Sequence, residues 1–295
     1  MISQSKYLLL LTLCALLLAC NPSQNNGQKL ALIEQDKTIT PLSCDHFASV
    51  TTPIGDLQNN VWNAHSAGDY KWTQCVASRS VEDSIHGKQT QYGWYWQWPA
   101  NGTQVYAQPQ ITLGNSPWLD HTSNKSNYPI SIKTLESLNI DYALELKSDS
   151  ALNVASTLWL TTSPTIQTKI DKSTIAVEMM IWTYATKGFY PNPAGEKVGE
   201  LRSNGINWEV WLNKNWHDTS GVNDNHWTYL AFRALEPTLT ATIDVAGLLG
   251  YSVEQQFIDP KLYIADIQLG NEVMSGTGQA WIQHYQVNIN NQTAE

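Results

Sequence analysis

Along most of the chain apolar and polar residues alternate with a period of two, the repeat of a strand with unlike faces. Such runs cover 93–98, 103–113, 142–147, 153–161, 177–184, 208–212, 227–233, 262–269 and 281–289, split by clusters of Gly, Pro, Asn and Ser. In the last run Tyr285, Val287 and Ile289 share one face, with His284, Gln286 and Asn288 on the other. Only 245–256 has a helical pattern, weakened by Gly247 and Gly250. Many strands and almost no helix predict an all-β fold, a sandwich or a jelly roll. From Pro41 onward there is no composition break and no internal repeat, so 41–295 reads as one domain.

The run Val177-Glu178-Met179-Met180-Ile181-Trp182-Thr183-Tyr184 has two faces of different kinds. Val177, Met179, Ile181 and Thr183 suit a core, whereas Glu178 lies in line with Met180, Trp182 and Tyr184. Burying even a merely polar group without partners costs roughly 2–7 kcal/mol. The second face is therefore expected to be an open cleft, with a carboxylate between aromatic platforms. A second strand, Tyr263 to Glu272, repeats the arrangement, with Asp266, Gln268, Gly270 and Glu272 opposite Tyr263, Ala265, Ile267 and Leu269. Two carboxyl groups flanking a bond, one ionised and one protonated, are what glycoside hydrolysis requires.

The N-terminus breaks the strand pattern. Lys6 precedes an apolar stretch from Tyr7 to Leu18, too short for a transmembrane helix. It ends in Leu17-Leu18-Ala19-Cys20, which resembles a bacterial lipobox. This implies a signal segment 1–19, a lipid on Cys20 and a polar tether 20–40, placing an exported protein at the outer membrane or cell surface. Of the four Cys, Cys14 leaves with the signal and Cys20 is lipidated, so Cys44 and Cys75 remain to form a disulfide in an exported compartment.

Composition sharpens the picture in one direction. There are 13 Trp and 13 Tyr against 4 Phe, an excess of rings with a polar handle, suited to a surface both wet and sticky. A net charge of −9 argues against nucleic acid as a partner and fits a neutral polysaccharide. The seven His are scattered, with no zinc spacing, no phosphate-cradling Gly loop and no Gly-x-Ser-x-Gly elbow, so neither metal nor cofactor is expected.

Four segments in order resemble glycoside hydrolase family 12. They are Cys44-Asp45, Asn59-Asn60-Val61-Trp62-Asn63-Ala64 with the downstream Gln74-Cys75, Val177 to Trp182, and Ile267-Gln268-Leu269-Gly270-Asn271-Glu272-Val273-Met274-Ser275-Gly276. The resemblance implies a two-sheet β-jelly-roll sandwich with a concave substrate cleft, Glu178 as nucleophile and Glu272 as general acid/base. It makes Trp62 a sugar-stacking platform with Asn60 nearby, and Met180 and Trp182 the floor beside the nucleophile. Thr157 stands where the family has an Asp bonded to the nucleophile, a departure that bears on how Glu178 is tuned. Trp94, Trp96 and Trp98 alternate onto one face, and some of them, Trp94 and Trp96 first, are expected to line the groove, the alternative being an aromatic ladder in the core or at an edge. The activity implied is retaining, endo-acting hydrolysis of a plant-type β-1,4-glucan (cellulose-like, mixed-linkage or xyloglucan) by a monomer. The alternative is a non-catalytic glycan-binding lipoprotein on the same fold.

Overall fold

The computed structural model describes residues 30, 33–34, 36–85, 87–120, 127–166, 169, 171–217, 224–290 and 292–293. The expected signal segment, Cys20 and most of the tether lie outside these residues, as do His86 and His121. In chain order the strands begin with β1 (Ile39–Ser43), β2 (Ser49–Thr52), β3 (Gly55–Gln58), β4 (Thr73–Asp83) and β5 (Gly87–Gln97). They continue with β6 (Gln110–Gly114), β7 (Ile130–Ser131), β8 (Leu138–Ser148), β9 (Asn153–Thr161) and β10 (Ile175–Ala185). Next come β11 (Glu196–Ser203), β12 (Ile206–His217), β13 (His226–Ala234), β14 (Thr240–Asp244) and helix α1 (Val245–Glu254). The last are β15 (Tyr263–Gly270), β16 (Thr277–Ile289) and β17 (Gln292–Thr293).

Two sheets result, as expected for a jelly-roll sandwich. The first runs β1-β4-β5-β16-β8-β14, with β17 beside β16. The second runs β11-β12-β13-β10-β9-β15-β6-β3-β2, with β7 beside β15. Among the described strands β10 and β13 are the only parallel pair. The core lies between the sheets, where the apolar faces meet: Val177, Met179 and Ile181 from β10 and Ile267 and Leu269 from β15 join Ile140, Tyr142 and Leu144 from β8. Each large apolar side chain so enclosed contributes about 1.5–3 kcal/mol. Helix α1 covers β8; Asp244 caps it by accepting from the Gly247 N–H at 2.9 Å.

Two expectations change here. Trp94 and Trp96 do not line a groove: both are 0% exposed, because β5 lies in the first sheet and turns this face, Trp98 included, into the core. Their indole N–H groups are satisfied inside, Trp94 by Asn271 Oδ1 at 2.6 Å and Trp96 by Ser150 Oγ at 2.8 Å. The expected strand 103–113 begins only at Gln110. Pro109 has no N–H for a ladder, and in the stretch before it only Ala107 forms bridges, one with Val61 and one with Val273. Cys44 and Cys75 are disulfide-bonded, tying the end of β1 to β4.

Candidate active site

The site lies on the face of the second sheet turned away from the core. Strand register sets its rows. Glu178 on β10 stands opposite Trp159 on β9 and Tyr229 on β13, and Trp159 stands opposite Asp266 on β15. In the next row Met180, Thr157, Gln268 and Thr112 are aligned, and in the third Trp182, Ala155, Gly270 and Gln110. This face is less open than its sequence implies. Met180 and Trp182 are 2% and 3% exposed, packed with Phe189, Tyr229 and Met274 into a second, smaller apolar cluster. Glu178 stays half-buried at its edge. The face therefore has a solid apolar floor with a carboxylate standing beside it.

Glu272 follows β15 on a segment pinned from several sides. Val273 N–H donates to Ala107 O, Met274 N–H to Ala151 O, and Asn153 exchanges bonds with Glu272 itself. Asn153 Nδ2 donates to Glu272 Oε2, while the Glu272 backbone N–H donates to Asn153 Oδ1 at 2.9 Å. Burial pushes the Glu272 carboxyl up to about 7, partly offset by the Asn153 donor. The buried Tyr229 phenol is raised well above its ordinary value, first by burial, then by the charges of Glu272 and Glu178. Both carboxyls thus lie within electrostatic reach of one ring, which itself donates to Met180 Sδ at 3.5 Å.

Glu178 Oε2 accepts from the indole Nε1–H of Trp227 at 2.8 Å. Thr157, expected near the nucleophile position, faces Met180, and its Oγ1 accepts from Gln108 Nε2 at 3.3 Å. It lies on the site face, diagonal to Glu178. Asp266 is fully buried on the same face and raised to about 7 by burial. Its oxygens accept from Gln268 Nε2 at 2.8 Å and the Trp159 backbone N–H at 3.3 Å. Asn60 and Trp62 are half-buried beside the Glu272 segment, linked to it through the bridges of Ala107 to Val61 and Val273. At the Trp182 end a cavity of about 320 Å³, edged by Phe189, Tyr190 and Leu235, falls in the range of small-ligand clefts. Among the described residues no group of three or more His, Cys, Asp or Glu is arranged to hold a metal ion.

The residues missed in the sequence are Trp227, Tyr229 and Asn153. Asn153 shares the period-two face of Ala155, Thr157 and Trp159, and Trp227 and Tyr229 share a face of their own strand. That signal was present, but which strands become neighbours was not.

A family model described as glycosyl hydrolase family 12 matches residues 55–294. A probable xyloglucan-specific endo-beta-1,4-glucanase A of Aspergillus clavatus is 25% identical over 248 residues, covering 83% of this chain and 90% of that one. A xyloglucan-specific endo-beta-1,4-glucanase A of Emericella nidulans is 23% identical over 253 residues, covering 84% and 91%. Among solved structures, a family 12 xyloglucanase from Bacillus licheniformis shares the fold with a TM-score of 0.69 at 22% identity, over 84% of this chain and 99% of that one. The Cel12A catalytic domain of Humicola grisea does so with a TM-score of 0.63 at 16% identity, over 83% and 97%.

Proposed function

Because this chain belongs to glycosyl hydrolase family 12, we propose that it is a retaining, endo-acting β-1,4-glucan hydrolase working by double displacement. Glu178 is the nucleophile and Glu272 the general acid/base. The observation that carries this reading is the unlike surroundings of the two carboxyls. Burial pushes Glu272 up to about 7, so it holds a proton near neutral pH, whereas Glu178 accepts an indole N–H, which favours the ionised form. An acid and a nucleophile need these opposite states.

In the first step Glu178 attacks the anomeric carbon while Glu272 gives its proton to the glycosidic oxygen, and the bond to the leaving chain breaks. In the second, Glu272 takes a proton from water, whose oxygen displaces Glu178 with its bonding pair. Two inversions give net retention. Trp62 and Asn60 bind sugar at the β3 side of the site, and Met180, Trp182 and Thr157 form the floor. The names of the relatives support xyloglucan as the first substrate to try, before mixed-linkage and cellulose-like glucans.

Release of reducing sugar from that panel tests the activity, and the anomer first formed tests retention. Glu178→Gln should abolish turnover and leave polysaccharide binding largely intact; a variant keeping a tenth of wild-type activity would remove Glu178 from the nucleophile's role. The Leu17-Leu18-Ala19-Cys20 motif supports export and lipidation at Cys20, with a monomeric enzyme tethered to the cell envelope. Cys20→Ser should then move the protein from membrane to soluble fractions, and unchanged fractionation would count against the anchor.

A further inference from the structure

Trp227 reaches Glu178 because β13 runs parallel to β10, with Val177 opposite Thr228 and Glu178 opposite Tyr229. Its ring is 7% exposed and held from two sides. Trp118 and Trp159 pack edge-on to it at 5.4 and 5.5 Å, and edge-on to each other at 4.9 Å. The Lys172 ammonium lies 5.3 Å from the Trp118 ring and braces the cluster from outside. An indole N–H only donates, so at 2.8 Å from Glu178 Oε2 it favours the carboxylate over the protonated acid. A donor locked by two other rings is already aimed before substrate arrives.

We propose that Trp227 is a positioning residue of this reaction: its indole N–H holds the Glu178 carboxylate in place for attack and stabilises the charge that returns to it when the glycosyl-enzyme opens. This rests on Glu178 being the nucleophile. In the first half-reaction the donor fixes the carboxyl plane, so that the attacking oxygen meets the anomeric carbon in one orientation. In the second, water loses a proton to Glu272 and its oxygen bonds to the anomeric carbon. The bond from that carbon to Glu178 breaks, and the pair returns to the carboxylate. Negative charge grows on the group that Trp227 bonds, so the bond strengthens toward that transition state.

The titratable groups around this carboxyl are the Tyr229 phenol on β13, Glu272 after β15, and Asp266 across Trp159. Tyr229 stays neutral throughout the working range, and Glu272 and Asp266, both pushed up to about 7 by burial, titrate on the side of the basic limb of the activity profile. The acid limb is left to report Glu178. Trp227→Phe keeps a ring in the cluster and removes the donor. One hydrogen bond to a charged group is enough to move a pKa by about one unit, so the acid limb of kcat/KM should rise by about one pH unit. Glycosyl-enzyme should also accumulate on an activated aryl glycoside, because the second step slows more than the first.

Rates are normalised to the sites trapped by a 2-deoxy-2-fluoro glycoside, which counts folded enzyme only. Trp159→Phe disturbs the same cluster without touching the bond, and its acid limb should stay where it is. In the wild-type protein the Trp227 indole ¹H–¹⁵N resonance should titrate at the pH of the acid limb and stop doing so in Glu178→Gln. An acid limb unmoved in Trp227→Phe, or a pH-independent indole resonance, would overturn the proposal. An active Glu178→Gln enzyme would instead overturn the reading on which it rests.

Discussion

Asn153 holds Glu272 at both ends, by its amide N–H groups to the carboxyl and its carbonyl to the Glu272 backbone N–H. The general acid must be protonated to act, so activity should fall as pH rises through about 7, the value to which burial pushes Glu272. The Asn153 donor stabilises the ionised form and works against burial. Asn153→Ala should therefore raise the Glu272 pKa further and move the basic limb of the kcat/KM profile upward by about one pH unit. Its kcat should drop as well, since the carboxyl loses its anchor. A basic limb that stays or moves down would show that the short contact between these side chains does not bear on the proton.

At the level of strands, the indole of Trp94 on β5 reaches Asn271, the neighbour of Glu272, from behind the site. Trp94→Phe would leave a buried carbonyl oxygen without its donor and should destabilise the fold by about 1–3 kcal/mol in urea denaturation. Because Trp94 is out of reach of substrate, KM should hardly change, whereas Trp62→Ala should raise KM with little loss of stability. That contrast checks the corrected placement of the β5 tryptophans. The period-two pattern gave the faces of β10 and β15, because each is a short run where carboxylate and apolar residues alternate, but it carried the second strand on to Glu272, whereas β15 ends at Gly270. The same pattern read β5 as two faces without saying which was inward, since Trp suits a core and a sugar platform equally. Trp227, Tyr229 and Asn153 act across strands, and strand neighbours are fixed by packing of the whole sheet rather than by local periodicity. The Thr157 hydroxyl was legible as a site-face group, but its Gln108 partner comes from the Pro109-broken stretch that had been expected to be strand.

Over the whole molecule two features make separable contributions to stability. The Cys44–Cys75 disulfide joins residues 31 apart in sequence and, by loop entropy, should contribute about 3–4 kcal/mol. Reduction or Cys75→Ala should lower the urea midpoint accordingly, and an unchanged midpoint would mean the loop is held closed by packing alone. Asp266 acts with pH. Burial raises it from 3.8 to about 7 in the folded protein, so its stabilising contribution is present below about pH 4 and is lost as pH rises to about 7. The span is at most about 4 kcal/mol at 1.4 kcal/mol per unit. The urea midpoint should be lower at pH 8 than at pH 5, and Asp266→Asn should shrink that difference. The parallel pairing of β10 with β13 carries a further consequence, for the order in which the protein folds. A parallel partner cannot follow by a tight turn, and here the chain makes β11 and β12 between Ala185 and His226 before β13 returns to β10. The antiparallel neighbours β9 and β10 are joined by a far shorter stretch, so the chain entropy of closing the Glu178–Trp227 contact is met late. In refolding from denaturant, the signal of sheet formation should therefore recover ahead of catalytic competence, the nucleophile waiting in a nearly finished sheet for the strand that holds it.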